Sequence, residues 1–166
     1  MATKTLEELF HETLKDIYYA ERKILKALPK MARGAQDEKL KAAFLQHQEE
    51  TEGQIERLQQ VFELIGKRPR AKTCAAIEGI LEEGEEILEE FKGSPALDAG
   101  LLAAAQAVEH YEISRYGTLR TWAEQLGYKD AVKLLDATLA EESKTDEALT
   151  KLALKAVNVA AQKKAA

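Results

Sequence analysis

The 166 residues are enough for one domain with its own hydrophobic core, and we expect a single domain over residues 1–166. A formal net charge of -5 argues against nucleic acid or an anionic membrane as the main partner, because both contacts depend on surplus Lys and Arg. Hydrophobic residues make up 45%, aromatic residues only 6%, and prolines number three, a composition that favours an all-α protein.

The first residues, M-A-T-K-T-L-E-E-L-F, include acids where a secretory signal needs an unbroken apolar run. No later segment approaches the roughly 18 consecutive apolar residues of a membrane span. We therefore expect the protein in the cytoplasm. The single cysteine, Cys74, excludes a disulfide or a cysteine-ligated cluster within one chain.

Apolar residues recurring every three to four positions predict four long helices and one shorter helix. The long helices cover approximately residues 5–30, 37–66, 97–127 and 130–158, and the shorter one approximately residues 74–91. Thr5 with Glu8 predicts a capping box where the first helix starts, and Pro29 predicts that this helix ends nearby. Gly66 and Gly127 are predicted to close the second and third long helices.

The connections between the long helices are short, long and short. A long connection with its own helix lets the helices that it joins lie parallel, whereas short connections make neighbours antiparallel. One long crossover in the middle is typical of the ferritin-like four-helix bundle. The sequence therefore predicts that fold, with the short extra helix in the crossover between the second and third long helices.

Every long helix carries ionisable residues near the middle of its predicted apolar face. They are Glu21; His47 and Glu50; Glu109 and Glu112; and Glu142 and Asp146. The paired positions are three or four residues apart, so both side chains project from the same face of the helix. Carboxylates crowded in a core are costly unless cations meet them. We predict that these residues bind two divalent ions, iron or manganese rather than zinc, whose structural sites favour Cys and His.

Each of these residues taken singly has a simpler explanation. Glu21 or Glu142 could be an acid at the edge of the face that reaches solvent, and His47 and Asp146 could bind metal or only hydrogen-bond to a ligand. To explain all of these residues in this way, the assignment of the inward face would have to be wrong independently on four helices, at the same level of the bundle. The metal site is therefore the favoured explanation. Nearby polar residues are predicted to pack or to hydrogen-bond instead: Thr51, Gln54, Gln106 and Tyr116. His11 and His110 are predicted to be surface residues, and Cys74 a small core residue.

With these motifs, the chain resembles the YciF-type branch of the ferritin-like superfamily over nearly its whole length. The stretches that carry the resemblance are D-I-Y-Y-A-E at 16–21, H-Q-E-E-T-E-G-Q-I-E-R-L at 47–58, C-A-A-I-E-G-I-L-E-E at 74–83, A-A-A-Q-A-V-E-H-Y-E-I-S-R-Y-G-T-L at 103–119, A-E-Q-L-G-Y at 123–128 and L-A-E-E-S-K-T-D-E-A-L at 139–149. The resemblance implies a dimeric bacterial bundle with a dinuclear metal centre, associated with stress responses. Wider relatives include rubrerythrins and manganese catalases.

The chain departs from the commonest ferritin-like pattern, which has Glu-x-x-His on two helices. Here His47 precedes Glu50, and Glu142 is followed by Asp146 with no histidine. A site richer in carboxylates should still hold two cations, but its redox potential and substrate do not transfer from the relatives.

The leading hypothesis is a cytoplasmic stress protein whose dimetal centre reacts with hydrogen peroxide or dioxygen. In that scheme Glu50 and one acid of the third long helix bridge the ions, and Glu21 and Glu142 are terminal ligands. His47 and Asp146 complete or tune the site. The alternatives are a metal-binding or storage protein without turnover, and a structural or partner-binding bundle.

Overall fold

The computed structural model describes residues 3–163, which form helices joined by short loops and one long crossover. The five longer helices are α1 (Leu6–Gly34), α2 (Glu38–Leu64), α3 (Ala75–Glu90), α4 (Leu97–Gln125) and α5 (Lys129–Leu152). A π-helical turn, Ala153–Val157, continues α5 into the short α6, Asn158–Ala161. Within residues 3–163 there is no strand, and none of the helices is long and apolar enough to cross a membrane.

The four long helices form a bundle in which α1 packs against α2 and α4, and α5 packs against both of these. The three-residue connection 35–37 makes α1 and α2 antiparallel. The end of α1 meets the start of α4 where Gln36 N donates to Asp98 Oδ1 at 2.8 Å, whereas Glu21 meets Tyr116 farther along α4. Because α2 and α4 are both antiparallel to α1, they are parallel to each other. The all-α, ferritin-like four-helix bundle with an extra helix in its crossover is confirmed.

Local signals set most helix ends where the sequence predicts them. Thr5 Oγ1 accepts from Glu8 N at 3.2 Å and Thr5 N donates to Glu8 Oε2 at 2.7 Å, which is the expected capping box. Gly66 and Gly127 follow α2 and α4 with φ of 68° and 79°, a left-handed conformation that glycine adopts without strain. Pro29 does not end α1, which continues to Gly34.

The crossover helix α3 lies against α1 and α4. Its buried residues are few, Ile77 and Gly84, together with the preceding Cys74. The main core lies between the long helices and is built from aliphatic and aromatic side chains. At mid-height this apolar core is interrupted by buried polar groups, and these define the candidate site.

Candidate metal centre

Ionisable side chains from all four long helices meet in the middle of the bundle. They are Glu21 of α1, His47 of α2, Glu109 and Glu112 of α4, and Glu142 of α5, and none exposes more than 3% of its surface. Each lies on the apolar face of its helix, as the periodicity predicts. We call these five residues the carboxylate–histidine cluster.

Four members of the cluster are close enough to bind one ion together. His47, Glu109, Glu112 and Glu142 each offer a ligand atom, and these atoms lie within 4.8 Å of one another. His47 Nδ1 is 2.9 Å from Glu109 Oε1, and Nε2 is 3.8 Å from Glu112 Oε2 and 3.9 Å from Glu142 Oε2. The imidazole therefore lies among three carboxylates.

His47 does not neutralise these acids. Burial lowers the pKa of His47, and the nearby Glu142 and Glu50 only partly oppose that shift, so a neutral ring is favoured. Although Glu109 Oε1 is 2.9 Å from the ring, it accepts no hydrogen bond. We therefore read the short distance as a crowded contact and not as an ion pair.

The buried polar atoms of the cluster are largely without partners. Both carboxylate oxygens of Glu109, Glu112 and Glu142 lack a hydrogen-bond donor, as do Glu21 Oε2 and His47 Nε2. Most buried polar side-chain atoms in native proteins have a hydrogen-bond partner, so eight atoms without one in a single cluster need an explanation. Divalent cations would satisfy them all at once, and oxygen-rich donors with one imidazole suit iron or manganese. The residues present thus fit a metal centre.

Burial also favours the protonated form of Glu21, Glu109 and Glu112 when no cation is present. Burial raises the pKa of Glu21 to about 8, with Glu142 adding repulsion, and raises the pKa of Glu109 to about 12. The pKa of Glu112 is well above its usual value, again because of burial and then of repulsion from Glu142 and Glu21. A metal ion would have to displace these protons, as is usual for carboxylate ligands.

Glu21 joins the cluster from the side of α1 and is fixed by Tyr116 of α4. The Tyr116 hydroxyl donates to Glu21 Oε1 at 2.7 Å, and neither side chain is exposed to solvent. One oxygen of Glu21 is therefore held in place, and the other, Oε2, is left for a ligand.

The structure does not bring Glu50 and Asp146 into this group. Glu50 is half-buried and accepts hydrogen bonds from Gln46 and from Thr145, both at 3.1 Å. The next residue, Thr51, occupies the inward position and is fully buried. The cluster therefore has five of the seven predicted ligands.

Asp146 faces the outer side of the bundle. Its Oδ1 is 3.1 Å from His110 Nε2 and accepts from Gln106 Nε2 at 3.2 Å. His110 is a surface residue as predicted, with 69% of its side chain exposed. Cys74 is a buried core residue whose Sγ lies 2.9 Å from the Tyr111 hydroxyl.

One charged group beside the cluster was not found from the sequence. Arg57 of α2 reaches across to α5, where its Nη2 is 2.5 Å from Glu141 Oε1. Glu141 Oε2 also accepts from the buried Gln54 Nε2 at 3.1 Å. The only sequence signal for this interaction was that Arg57 lies one turn after Gln54 on α2. The same spacing occurs on many solvated helix faces, so it does not identify a contact with α5.

The chain is similar in sequence to known proteins over nearly its whole length. Residues 5–162 match the family described as domain of unknown function DUF892. Protein YciF of Escherichia coli strain K12 is 50% identical over 166 residues, 99% of this chain and 100% of YciF.

Two solved structures share the fold. The crystal structure of the E. coli stress protein YciF superposes with a TM-score of 0.89 at 50% identity, covering 94% of this chain and 99% of that one. YcfI from Rhodopseudomonas palustris, described provisionally as a structural protein, has a TM-score of 0.85 at 48% identity, covering 89% and 94% of the two chains.

Proposed function

This chain belongs to the DUF892 family as a YciF-type protein, and we propose that its carboxylate–histidine cluster binds two divalent ions of iron or manganese. The observation that carries the proposal is the set of buried, unpartnered oxygen and nitrogen atoms contributed by all four long helices. The proposed role is a cytoplasmic stress-response protein that reacts with hydrogen peroxide or dioxygen. We also propose that it acts as a homodimer.

When bound, two such ions would supply one electron each, either to peroxide, which takes up two protons and leaves as two waters, or to dioxygen, which takes up two protons and leaves as hydrogen peroxide. The surrounding chain determines how this centre is held and what reaches it.

Within the cluster, some residues would contribute charge to the bound ions, and Tyr116 beside it fixes the position of one carboxylate. The four carboxylates of the cluster would supply the negative charge that balances two divalent ions, and His47 would supply a neutral nitrogen. Tyr116 holds Glu21 by one oxygen, so that the other points consistently at the site. The apolar core around the cluster excludes bulk water, which strengthens the electrostatic interactions there.

The test begins with metal binding and then adds the oxidant. Purified protein is loaded anaerobically with Fe(II) or Mn(II), and its melting temperature is compared with that of a Glu109→Gln/Glu112→Gln variant. Metal is expected to stabilise the wild-type protein and not the variant, because only binding to the folded state raises the melting temperature. Peroxide is then expected to disappear faster with the loaded wild-type protein. No stabilisation by either metal, or equal consumption of both peroxide and dioxygen by the two proteins, would refute the proposal.

The provisional description of YcfI favours a second candidate, a structural bundle without metal. That role predicts no change in melting temperature with iron or manganese. Size-exclusion chromatography distinguishes a metal-storage role by the mass of the assembly. A dimer encloses no space for mineral, whereas a large cage would.

A further inference from the structure

A largely apolar cavity adjoins the cluster on the side of the crossover helix. It lies between α1, α2, α3 and α4 and has a volume of about 30 Å³. The lining is aliphatic and aromatic, for example Ile24, Phe44 and Val108, except for Lys30, His47 and Glu85.

The cavity is lined both by residues exposed at the protein surface and by a member of the cluster. Lys30 Nζ and Glu85 Oε1 are 3.1 Å apart, and about half of each side chain is exposed. His47 lines the same cavity and is 3% exposed. The lining of the cavity therefore extends from an exposed ion pair to a member of the carboxylate–histidine cluster.

The size and polarity of the cavity limit what it can hold. A water-sized sphere needs about 10–15 Å³ of such space, so the cavity accommodates about two non-hydrogen atoms. Hydrogen peroxide and dioxygen both have two. Peroxide would lose its hydrogen bonds to water in an apolar lining, which costs free energy, whereas dioxygen has none to lose.

We propose that this cavity is the binding and access site for dioxygen, and that it selects dioxygen over hydrogen peroxide. The inference rests on the proposed function for its chemistry, since it names which of the two oxidants the centre receives by this route. The binding step itself needs no metal.

Gly84 of α3 gives a way to fill the cavity without touching the cluster. It lines the cavity, and a Cβ atom there would lie 3.4 Å from Met31 Cε and 3.6 Å from Ala104 Cβ, two other lining residues. Gly84→Ala is therefore expected to fit with ordinary contacts, and Gly84→Leu to occupy the space. Both changes favour the helix, because glycine is a poor helix former.

Gly79 is the matched control on the same helix. A Cβ atom at Gly79 meets nothing within 4 Å, so Gly79→Leu carries the same gain in helix propensity and leaves the cavity open. Any effect shared by Gly79→Leu and Gly84→Leu is then a property of α3 and not of the cavity.

The first measurement uses xenon as an apolar gas of suitable size. Crystals of the metal-free protein under xenon pressure are expected to show xenon beside His47 in the wild type and in Gly79→Leu, reduced occupancy in Gly84→Ala, and none in Gly84→Leu. Absence of xenon from the wild-type cavity would overturn the proposal, whatever metal the protein binds.

The second measurement compares oxidants on protein loaded with Fe(II). Oxidation by dioxygen is expected to slow at least about tenfold in Gly84→Leu relative to Gly79→Leu, because binding now requires a conformational change. Oxidation by peroxide is expected to be unchanged. Equal slowing with both oxidants, or slowing with neither, would overturn the selectivity. Xenon bound in a protein that does not oxidise iron would instead refute the proposed function and leave the gas site standing.

Discussion

The hydroxyl group of Tyr116 donates a 2.7 Å hydrogen bond to Glu21 Oε1, and both side chains are completely buried. The bond links α1 to α4 beside the carboxylate–histidine cluster. It leaves Glu21 Oε2 as an unpartnered atom within a group of acids. Tyr116 therefore determines where one of the acids can point.

We predict that Tyr116→Phe weakens metal binding. The loss of a hydrogen bond that orients a ligand typically lowers metal affinity about 10–100-fold, and we expect a decrease in that range. Competition with a coloured chelator measures it. Tyr18→Phe is the control, because Tyr18 is also a core residue but its hydroxyl accepts from Gln59 at 3.3 Å. Equal affinities for Tyr116→Phe and the wild type would show that Glu21 is not a ligand.

The half-buried acids Glu50 and Asp146 provide a test of the ligand set. Both carboxylates have other hydrogen-bond partners, so Glu50→Gln and Asp146→Asn are expected to retain metal binding within about threefold. Glu109→Gln is expected to lose at least about 100-fold, because it removes a fully buried charge from the cluster. Metal content after gel filtration and chelator competition report both. A loss with Glu50→Gln as large as with Glu109→Gln would mean that Glu50 turns inward when metal binds.

The contrast between these acids shows how far the sequence could define the site. Glu109 and Glu112 were identifiable because apolar residues on both sides fix the face of α4 on which they lie. Glu50 and Thr51 are adjacent on α2, and one residue turns a helix by about 100°, so periodicity alone does not decide which of the two faces inward. Packing against the other helices puts Thr51 inside and Glu50 at the edge.

The remaining differences also depend on contacts between helices. The ion pair of Arg57 with Glu141 joins α2 to α5, and its two members are far apart in sequence. Pro29 is a local helix-ending signal, yet α1 continues because Leu28 and Ala32 on either side are buried. The burial of these side chains stabilises the last turns of α1 and offsets the loss of the backbone hydrogen bond that proline cannot make.

Asp98 at the start of α4 is expected to stabilise the whole bundle. Its two oxygens accept from Gln36 N at 2.8 Å and Asp37 N at 2.7 Å, in the short connection between α1 and α2. Asp98→Ala removes both acceptors and should lower the free energy of unfolding by about 2–3 kcal/mol, as expected for hydrogen bonds to a charged group. Urea denaturation measures the change. Asp98→Asn, which keeps one acceptor, should lose less, and the exposed Asp130→Ala should lose little. Equal stability of Asp98→Ala and Asp130→Ala would contradict the assignment.

The stability of the metal-free protein is expected to fall as pH rises from about 5 to 8. In the unfolded chain the cluster acids titrate near their ordinary value of 4.5, whereas in the folded protein burial raises the pKa of Glu21 to about 8 and of Glu109 to about 12. Between these values the folded state holds protons that the unfolded state has released. Stability is therefore greatest below the unfolded pKa and falls as pH rises, by up to about 1.4 kcal/mol per pH unit for each carboxyl.

Bound metal should reverse this dependence, because cations replace the protons and bind the ionised carboxylates more tightly as pH rises. Thermal melts at pH 5, 6, 7 and 8, with chelator and with Mn(II), measure both trends. Glu109→Gln removes one of the titrating acids and should flatten the slope of the metal-free protein. A metal-free wild-type protein that becomes more stable across this range would show that the cluster acids are ionised in the folded state. Some interaction other than protonation or metal binding would then have to stabilise the crowded carboxylates from which we infer the metal site.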